Sequence, residues 1–487
     1  MPENLTQMTL RGLKWSYLST ILIALLQIIF TAVMARLLEP SAFGLVAMAN
    51  VFLRFGSYFA NMGMGQAIIQ KEKLEEENIV AAFSFSFVLG LTFFGIFCFL
   101  APFAATIFHS PKIVTLTRVL SLSFLFTGLS TTANSILRRK LDFKSLAYLE
   151  SISFIVSYGI IGIFMAVRGY EEWSLVAASL SQAFFSALMS YLIVRHPLSL
   201  FWDIAQIKKL GAYGGRISII SFFEFIGSSL DIFFIGRSLG AEKLGLYNRG
   251  QMLVNLPMQY FTNSFSRVLF PSFSKIQAQV EKLKESYLMG LGILAFFILP
   301  GCIGISIAAE PIIRVVLGEK WLPAVPVLRL LALATPFNML SHLGGILCDS
   351  TGRLDDKLLL TIIYILFLGC GLVIFSKQGL EAVAALIVCS EILRHIAYLN
   401  IISRILQCPL REIYQVYKPA VVASGLVGLL LFIVIFLGRT WDVSIYFQFI
   451  LAILTGLLSL YLVLLIKSNE NIKLFLFDKI KIGLYLR

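Results

Sequence analysis

"ARLLEPSAFGL" runs from Ala35 to Leu45, and "GRSLGAEKLGL" from Gly236 to Leu246. Aligned without a gap, Arg36, Leu38, Gly44 and Leu45 fall on Arg237, Leu239, Gly245 and Leu246, and Phe43 falls on Leu244. A second echo follows the first. Lys140-Leu141-Asp142-Phe143-Lys144 and Arg353-Leu354-Asp355-Asp356-Lys357 share the pattern of a basic residue, Leu, Asp, any residue and Lys. The wider spacing of this second pair is absorbed by the long connection "EPIIRVVLGEKWLPA", which starts at Glu310. Two echoes at equivalent places point to a chain built from two similar halves.

Composition says what kind of halves these are. The chain is 58% hydrophobic and only 14% charged over 487 residues. Soluble chains carry about a quarter charged residues. In lipid, backbone groups must be satisfied within each segment, so apolar runs of about 20 residues read as spanning helices. Polar and Gly/Pro punctuation divides the sequence into fourteen such runs, from 14–37 to 443–466, with the seventh and eighth at 213–236 and 245–270. The first run has no small-residue cleavage pattern after it and reads as a retained helix, not a signal peptide. The expected fold is an all-α polytopic membrane protein. It has a six-helix lobe over 1–200, a second over 201–404, two further helices over 405–466 and a basic tail over 467–487. The even count puts both termini on one side.

Loop charge orients the chain. The segments on the side of the termini, among them "RRKLDFK", "TGRLDDK" and the tail from Lys467, hold well over half of the 40 Lys and Arg. Lys and Arg in short loops mark the cytoplasmic side, so both termini are expected there. The net charge of +13 is then accounted for by a basic face beside anionic lipid, without nucleic acid. The tail "NIKLFLFDKIKIGLYLR" reads equally as a surface-lying segment or as a frayed end. Six scattered cysteines show no metal spacing and read as small apolar fillers; no metal or cofactor is expected.

Ionisable residues at membrane depth are costly and by default mark pathways or partners. Arg54 stands mid-helix in "NVFLRFGSYF". Glu224 and Asp231 are seven apart on the seventh helix and so share a face. Arg249 and Arg267 are five turns apart on the eighth, with Tyr260 and Asn263 near the same stripe. Glu391, Arg394 and His395 lie within about one turn of the twelfth. Each group has a plainer reading. Glu391 and Arg394 are spaced to neutralise one another, Arg249 and Arg267 are near enough to helix ends to snorkel, and Arg36, Glu39 and Arg237 read as corners at the interface. Arg54, Arg249, Arg267, Tyr260 and Asn263 are the substrate-binding candidates. Glu224, Asp231, Glu391, Arg394 and His395 are candidates for coupling or charge pairing. Arg binds phosphate bidentately and keeps its charge, so an arginine-bearing cavity suits an anionic ligand such as a pyrophosphate-linked lipid.

The stretches "ARLLEPSAFGLVAMANVF", "NMGMGQAIIQ", "ILRRKLDF", "IGRSLGAEKLGLYNRGQMLVNLP", "SRVLFPSFSKIQ" and "LGEKWLPAVPVLRLLAL" resemble the Wzx/TuaB-like polysaccharide flippases of the MOP superfamily, which also holds the MATE transporters and the lipid II flippase. The resemblance implies a bacterial inner-membrane protein with two six-helix lobes in a V shape. It implies alternating-access movement of an undecaprenyl-pyrophosphate-linked oligosaccharide to the outer leaflet, with a path between the lobes. The partners it implies are that substrate, membrane lipid, H+ or Na+ as coupling ion, and polysaccharide polymerase machinery. Cavity arginines would hold the pyrophosphate. Two other classes compete. A MATE-type small-molecule exporter would prefer an acidic, aromatic cavity, whereas this one reads as net basic. A membrane polymerase or glycosyltransferase would need sizeable extracytoplasmic loops, and the connections on that side are short. A purely structural role leaves the buried charges without a purpose.

Overall fold

The computed structural model describes residues 5–60, 65, 68–69, 74–199 and 215–467; within described helices, some side chains are left out. Every regular element among the described residues is helical. The helices are α1 Leu5–Leu37, α2 Pro40–Ala60, α3 Glu76–Phe108, α4 Lys112–Arg139, α5 Phe143–Val167 and α6 Glu172–Val194. They continue as α7 Gly215–Ile276, α8 Val280–Ile307, α9 Ala309–Val316, α10 Val325–Ser350, α11 Leu354–Phe375, α12 Leu380–Leu406, α13 Leu410–Thr440 and α14 Ile445–Lys467.

Among the described residues, ten helical segments are long and apolar enough to cross a membrane. The other four expected runs are helical as well: α2, α14 and the two arms of α7, whose single non-helical residue is Gly240 at φ 83°. The seventh and eighth runs are therefore two helices, the two arms of α7, parted at Gly240. The connection "EPIIRVVLGEKWLPA" is not loop but helix, with α9 followed by a 3-10 turn over Glu319–Ala324. The chain forms two compact units, Met1–Gly245 and Leu246–Arg487.

The first unit contains the first copy of the opening motif and all of the second but Leu246, and the two share one geometry. The chain leaves the helix at Leu38–Glu39 in the first copy and at Gly240 in the second, and helix resumes at Pro40 and at Ala241. Pro suits a first helical position, because its missing N–H would have had no partner there. The two corners then pack on each other. A methyl group on Gly44 would overlap the Ala241 carbonyl oxygen, and one on Gly245 would overlap the Pro40 carbonyl oxygen. The Lys-Leu-Asp echo is looser. Both copies lead into a helix, but the left-handed residue is Leu141 in one and Gly352 in the other. Asp142 caps α5 by accepting from the Ser145 N–H at 3.1 Å, whereas Asp355 lies inside the first turn of α11.

Small residues set a second close approach. Where α3 crosses α4, a methyl on Gly90 would fall 2.6 Å from the Phe124 carbonyl oxygen, and one on Gly128 2.6 Å from that of Ser86. In lipid, where neighbouring tails are as apolar as Leu, such small-residue contacts let backbones pack closely.

Candidate functional site

That crossing forms part of the wall of a polar cavity in the first unit. Asn50, Leu53, Arg54 and Ser57 of α2, Ser86 and Gly90 of α3, and Ser123, Phe124, Thr127, Gly128 and Thr131 of α4 enclose ≈170 Å³. This is room for on the order of ten water-sized groups, about the size of a pyrophosphate. The polar residues follow helical rows. Asn50, Arg54 and Ser57 lie at i, i+4 and i+7, and Ser123, Thr127 and Thr131 at i, i+4 and i+8.

Several hydroxyl donors are already in use. Thr127 donates to the Ser123 carbonyl at 2.7 Å, Thr131 to the Thr127 carbonyl at 2.7 Å and Ser57 to the Arg54 carbonyl at 2.8 Å. A hydroxyl that donates to its own helix keeps its lone pairs as acceptors. The cavity therefore presents several acceptors together with one cation, beside the Asn50 amide and the Ser86 and Ser123 hydroxyls. Among the described residues, the Arg54 guanidinium has no ion-pair partner. An anion able also to donate hydrogen bonds, such as a phosphate attached to a sugar, matches both properties.

Of the other candidates in this unit, Asp231 is buried at 7% exposure and accepts from the Ile232 N–H at 2.8 Å, whereas Glu224 is exposed. Two helical turns on one face thus place the carboxylates in different surroundings. The first arm of α7 meets α2 beside Arg54, where the rings of Phe55 and Phe222 lie 5.8 Å apart.

In the second unit, Arg249 is half-buried and donates to the Asn248 side-chain carbonyl at 3.0 Å. The side chains of Tyr260, Asn263 and Arg267 lie outside the described residues. Glu391, Arg394 and His395 come together in a network that recruits three neighbouring helices. Glu391, 4% exposed, accepts at Oε1 from Asn338 of α10 at 3.0 Å and from Tyr364 of α11 at 2.8 Å, with Arg394 at 3.6 Å. Its Oε2 is buried without a hydrogen-bond partner. The Arg394 guanidinium lies 4.8 Å from the Tyr364 ring centroid, a cation–π distance. His395 bridges Ser341 of α10 at 3.3 Å and Tyr417 of α13 at 2.9 Å.

The sequence reading reached Arg54, Glu391, Arg394 and His395 through their charge. It missed Asn50, Ser57, Ser86, Ser123, Thr127, Thr131, Asn338, Tyr364 and Tyr417. The Ser/Thr row in "SLSFLFTGLST" (121–131) carried a signal, a polar stripe inside an apolar helix. Asn338 and Tyr364 carried none, because each stands singly between apolar neighbours, and Tyr417 was hidden in the polar stretch that opens α13. Among the described residues no group of three His, Cys, Asp or Glu is placed to hold a metal ion.

Comparison with known proteins agrees with this architecture. The family model "Polysaccharide biosynthesis protein" matches residues 33–326. The teichuronic acid biosynthesis protein TuaB of Bacillus subtilis is 26% identical over 358 residues, covering 72% of this chain and 73% of its own. The succinoglycan biosynthesis transport protein ExoT of Rhizobium meliloti is 27% identical, covering 66% and 65%. Among solved structures, the lipid II flippase MurJ in an inward closed conformation superposes with a TM-score of 0.74 at 16% identity, covering 92% of this chain and 97% of its own.

Proposed function

This chain belongs to the polysaccharide biosynthesis protein family, and we propose that it is a transporter, not an enzyme, moving a lipid-linked oligosaccharide across the bacterial inner membrane by alternating access. The observation that carries the reading is the Arg54 cavity. A guanidinium without an ion-pair partner among the described residues faces a row of hydroxyl acceptors inside a membrane bundle. Such a cation suits the pyrophosphate of an undecaprenyl-linked substrate, and the hydroxyl row suits its first sugar. The cavity's size fits the charged linkage and the edge of that sugar, so the rest of the glycan extends beyond it. Arg249 and Arg267, with Tyr260 and Asn263, are the second unit's candidates for the same substrate.

Coupling to H+ or Na+ is assigned to the second unit. Glu391 has one oxygen fully engaged and the other buried without a partner, so a proton on Oε2 is the simplest ion to fit there. Glu224 and Asp231 are the alternatives in the first unit. The reading places both termini in the cytoplasm and the two lobes over 1–200 and 201–404, with polymerase machinery as partner on the outer side.

The decisive experiment deletes the gene in its host and locates the lipid-linked oligosaccharide. Accumulation of complete repeat units in the inner leaflet, reversed by the wild-type gene, is the expected result. Single repeat units stranded on the outer leaflet would instead indicate a polymerase. Unchanged surface polysaccharide with altered sensitivity to cationic drugs would indicate a small-molecule exporter.

A further inference from the structure

The second unit holds a cavity that the transport reading leaves unused. Arg353, Asp356, Ile401, Arg404 and Ile405 enclose ≈180 Å³ where α11 begins and α12 ends. We infer that this cavity binds the headgroup phosphate of an anionic membrane phospholipid.

Charge is the first argument. Two guanidinium groups face one carboxylate, so the cavity is net cationic. Arg353 is 4.0 Å from Asp356, a loose pair, and Arg404 has no ion-pair partner among the described residues. Lys357, the last residue of the repeated motif, is not available to the cavity. It is buried and tied to both oxygens of Asp349, at 3.0 and 2.9 Å. The two arginines remain as donors, and the guanidinium fork is the geometry that grips a phosphate. No side chain caps the start of α11 beside Arg353, so the first-turn N–H groups add to the positive potential.

Depth is the second argument. The arginines stand at the ends of two helices long and apolar enough to cross a membrane, where a spanning helix meets the headgroups, and Ile401 and Ile405 form an apolar wall one turn apart. From Asp356, an exposed apolar row continues along α11 through Leu359, Ile363 and Leu366. A ligand with its phosphate on Arg353 and Arg404 would lay an acyl chain along that row. Basic pockets between helices on the cytoplasmic side are suited to lipid headgroups. A free phosphate would have no use for the apolar row.

The test is native mass spectrometry of the full chain released from detergent, with phosphatidylglycerol and phosphatidylcholine as probes. Wild type should retain phosphatidylglycerol preferentially. R353Q/R404Q should lose about thirtyfold of that affinity, from the usual contribution of two interfacial arginines, and bind phosphatidylcholine as before. I405W, which fills the cavity and keeps both arginines, should lose phosphatidylglycerol as well. A control pair on the same face, R411Q/K418Q, should keep it, and equal melting temperatures should accompany all variants. Retention of phosphatidylglycerol by R353Q/R404Q or by I405W overturns the site. Equal loss in R411Q/K418Q overturns it in favour of bulk surface charge. Displacement of the lipid by millimolar inorganic phosphate overturns it in favour of a free-phosphate site.

Discussion

Gly44 meets the carbonyl of Ala241 with no room for a side chain, and the contact recurs with the two copies exchanged, Gly245 against Pro40. Because Pro40 and Gly44 align on Ala241 and Gly245, the paired contacts are what a local two-fold relation between the corners requires. The repeated sequence is therefore also a packing device, in which each copy supplies the glycine that the other's backbone needs. Gly44→Val should force the corner apart and lower the melting temperature, with a cost of about 1–3 kcal/mol, the usual range for overpacking. Gly245→Val should behave alike. In the double variant the second substitution should cost less than it does alone, because the corner is already open. Strict additivity of the three melting curves would show that the contacts are independent.

Arg54 supplies the cavity's cation. Arg54→Ala should abolish most polysaccharide export at normal protein abundance, and Arg54→Lys should retain part, since charge is kept and the bidentate fork is lost. One charge-assisted contact contributes about 1.5–3 kcal/mol, equivalent to roughly tenfold to hundredfold in affinity. Complementation of a deletion strain, with immunoblots for abundance, measures this. Full export by a well-expressed Arg54→Ala chain would exclude the residue from substrate binding.

Glu391 and Arg394 form a buried charged pair at 3.6 Å. Removing one partner leaves an uncompensated charge, at a cost of about 3–5 kcal/mol, whereas removing both is far milder. Glu391→Leu should therefore melt lower than Glu391→Leu/Arg394→Leu in the same detergent. Glu391→Gln keeps an acceptor for Asn338 and Tyr364 and should fold, but it carries no titrating proton, so pH-driven transport in vesicles should stop. Unchanged pH-driven transport by Glu391→Gln would remove this residue from coupling.

Orientation is testable at two exposed loops. In a cysteine-free background, Lys140→Cys should react with an impermeant maleimide only in inverted vesicles, and Tyr170→Cys only in intact cells. The opposite pattern would reverse the assignment of both termini.

Native Cys408 lies in the turn between α12 and α13, buried at 3% exposure. Burial pushes its thiol pKa up, and the Glu412 carboxylate pushes it further, with Lys284 opposing. The thiolate is the reactive form, so a raised pKa means less of it at neutral pH. Cys408 should label more slowly at pH 7 than an exposed Arg411→Cys, and the gap should narrow as pH rises. Equal rates at pH 7, followed by stopped-time labelling and mass spectrometry, would contradict the burial argument.

The sequence by itself determined the elements and their order. Lipid forces each spanning segment to satisfy its own backbone, so apolar runs punctuated by Lys, Arg, Gly and Pro translate directly into helices. It also determined that the corner at Arg36 repeats at Arg237, and that Arg54 and Glu391 are ionisable residues set within apolar helical runs. What only the tertiary structure decided is which faces meet. Helical periodicity places Ser123, Thr127 and Thr131 in one row, but the rotation and crossing of α3 and α4, set by Gly90 and Gly128 against opposing carbonyls, brings that row to Arg54. The same holds for Glu391, whose partners Asn338 and Tyr364 arrive from two other helices. Side-chain pairing across helices depends on axial rotation and register, and those are fixed by the summed packing of whole surfaces, which no single stretch of sequence contains.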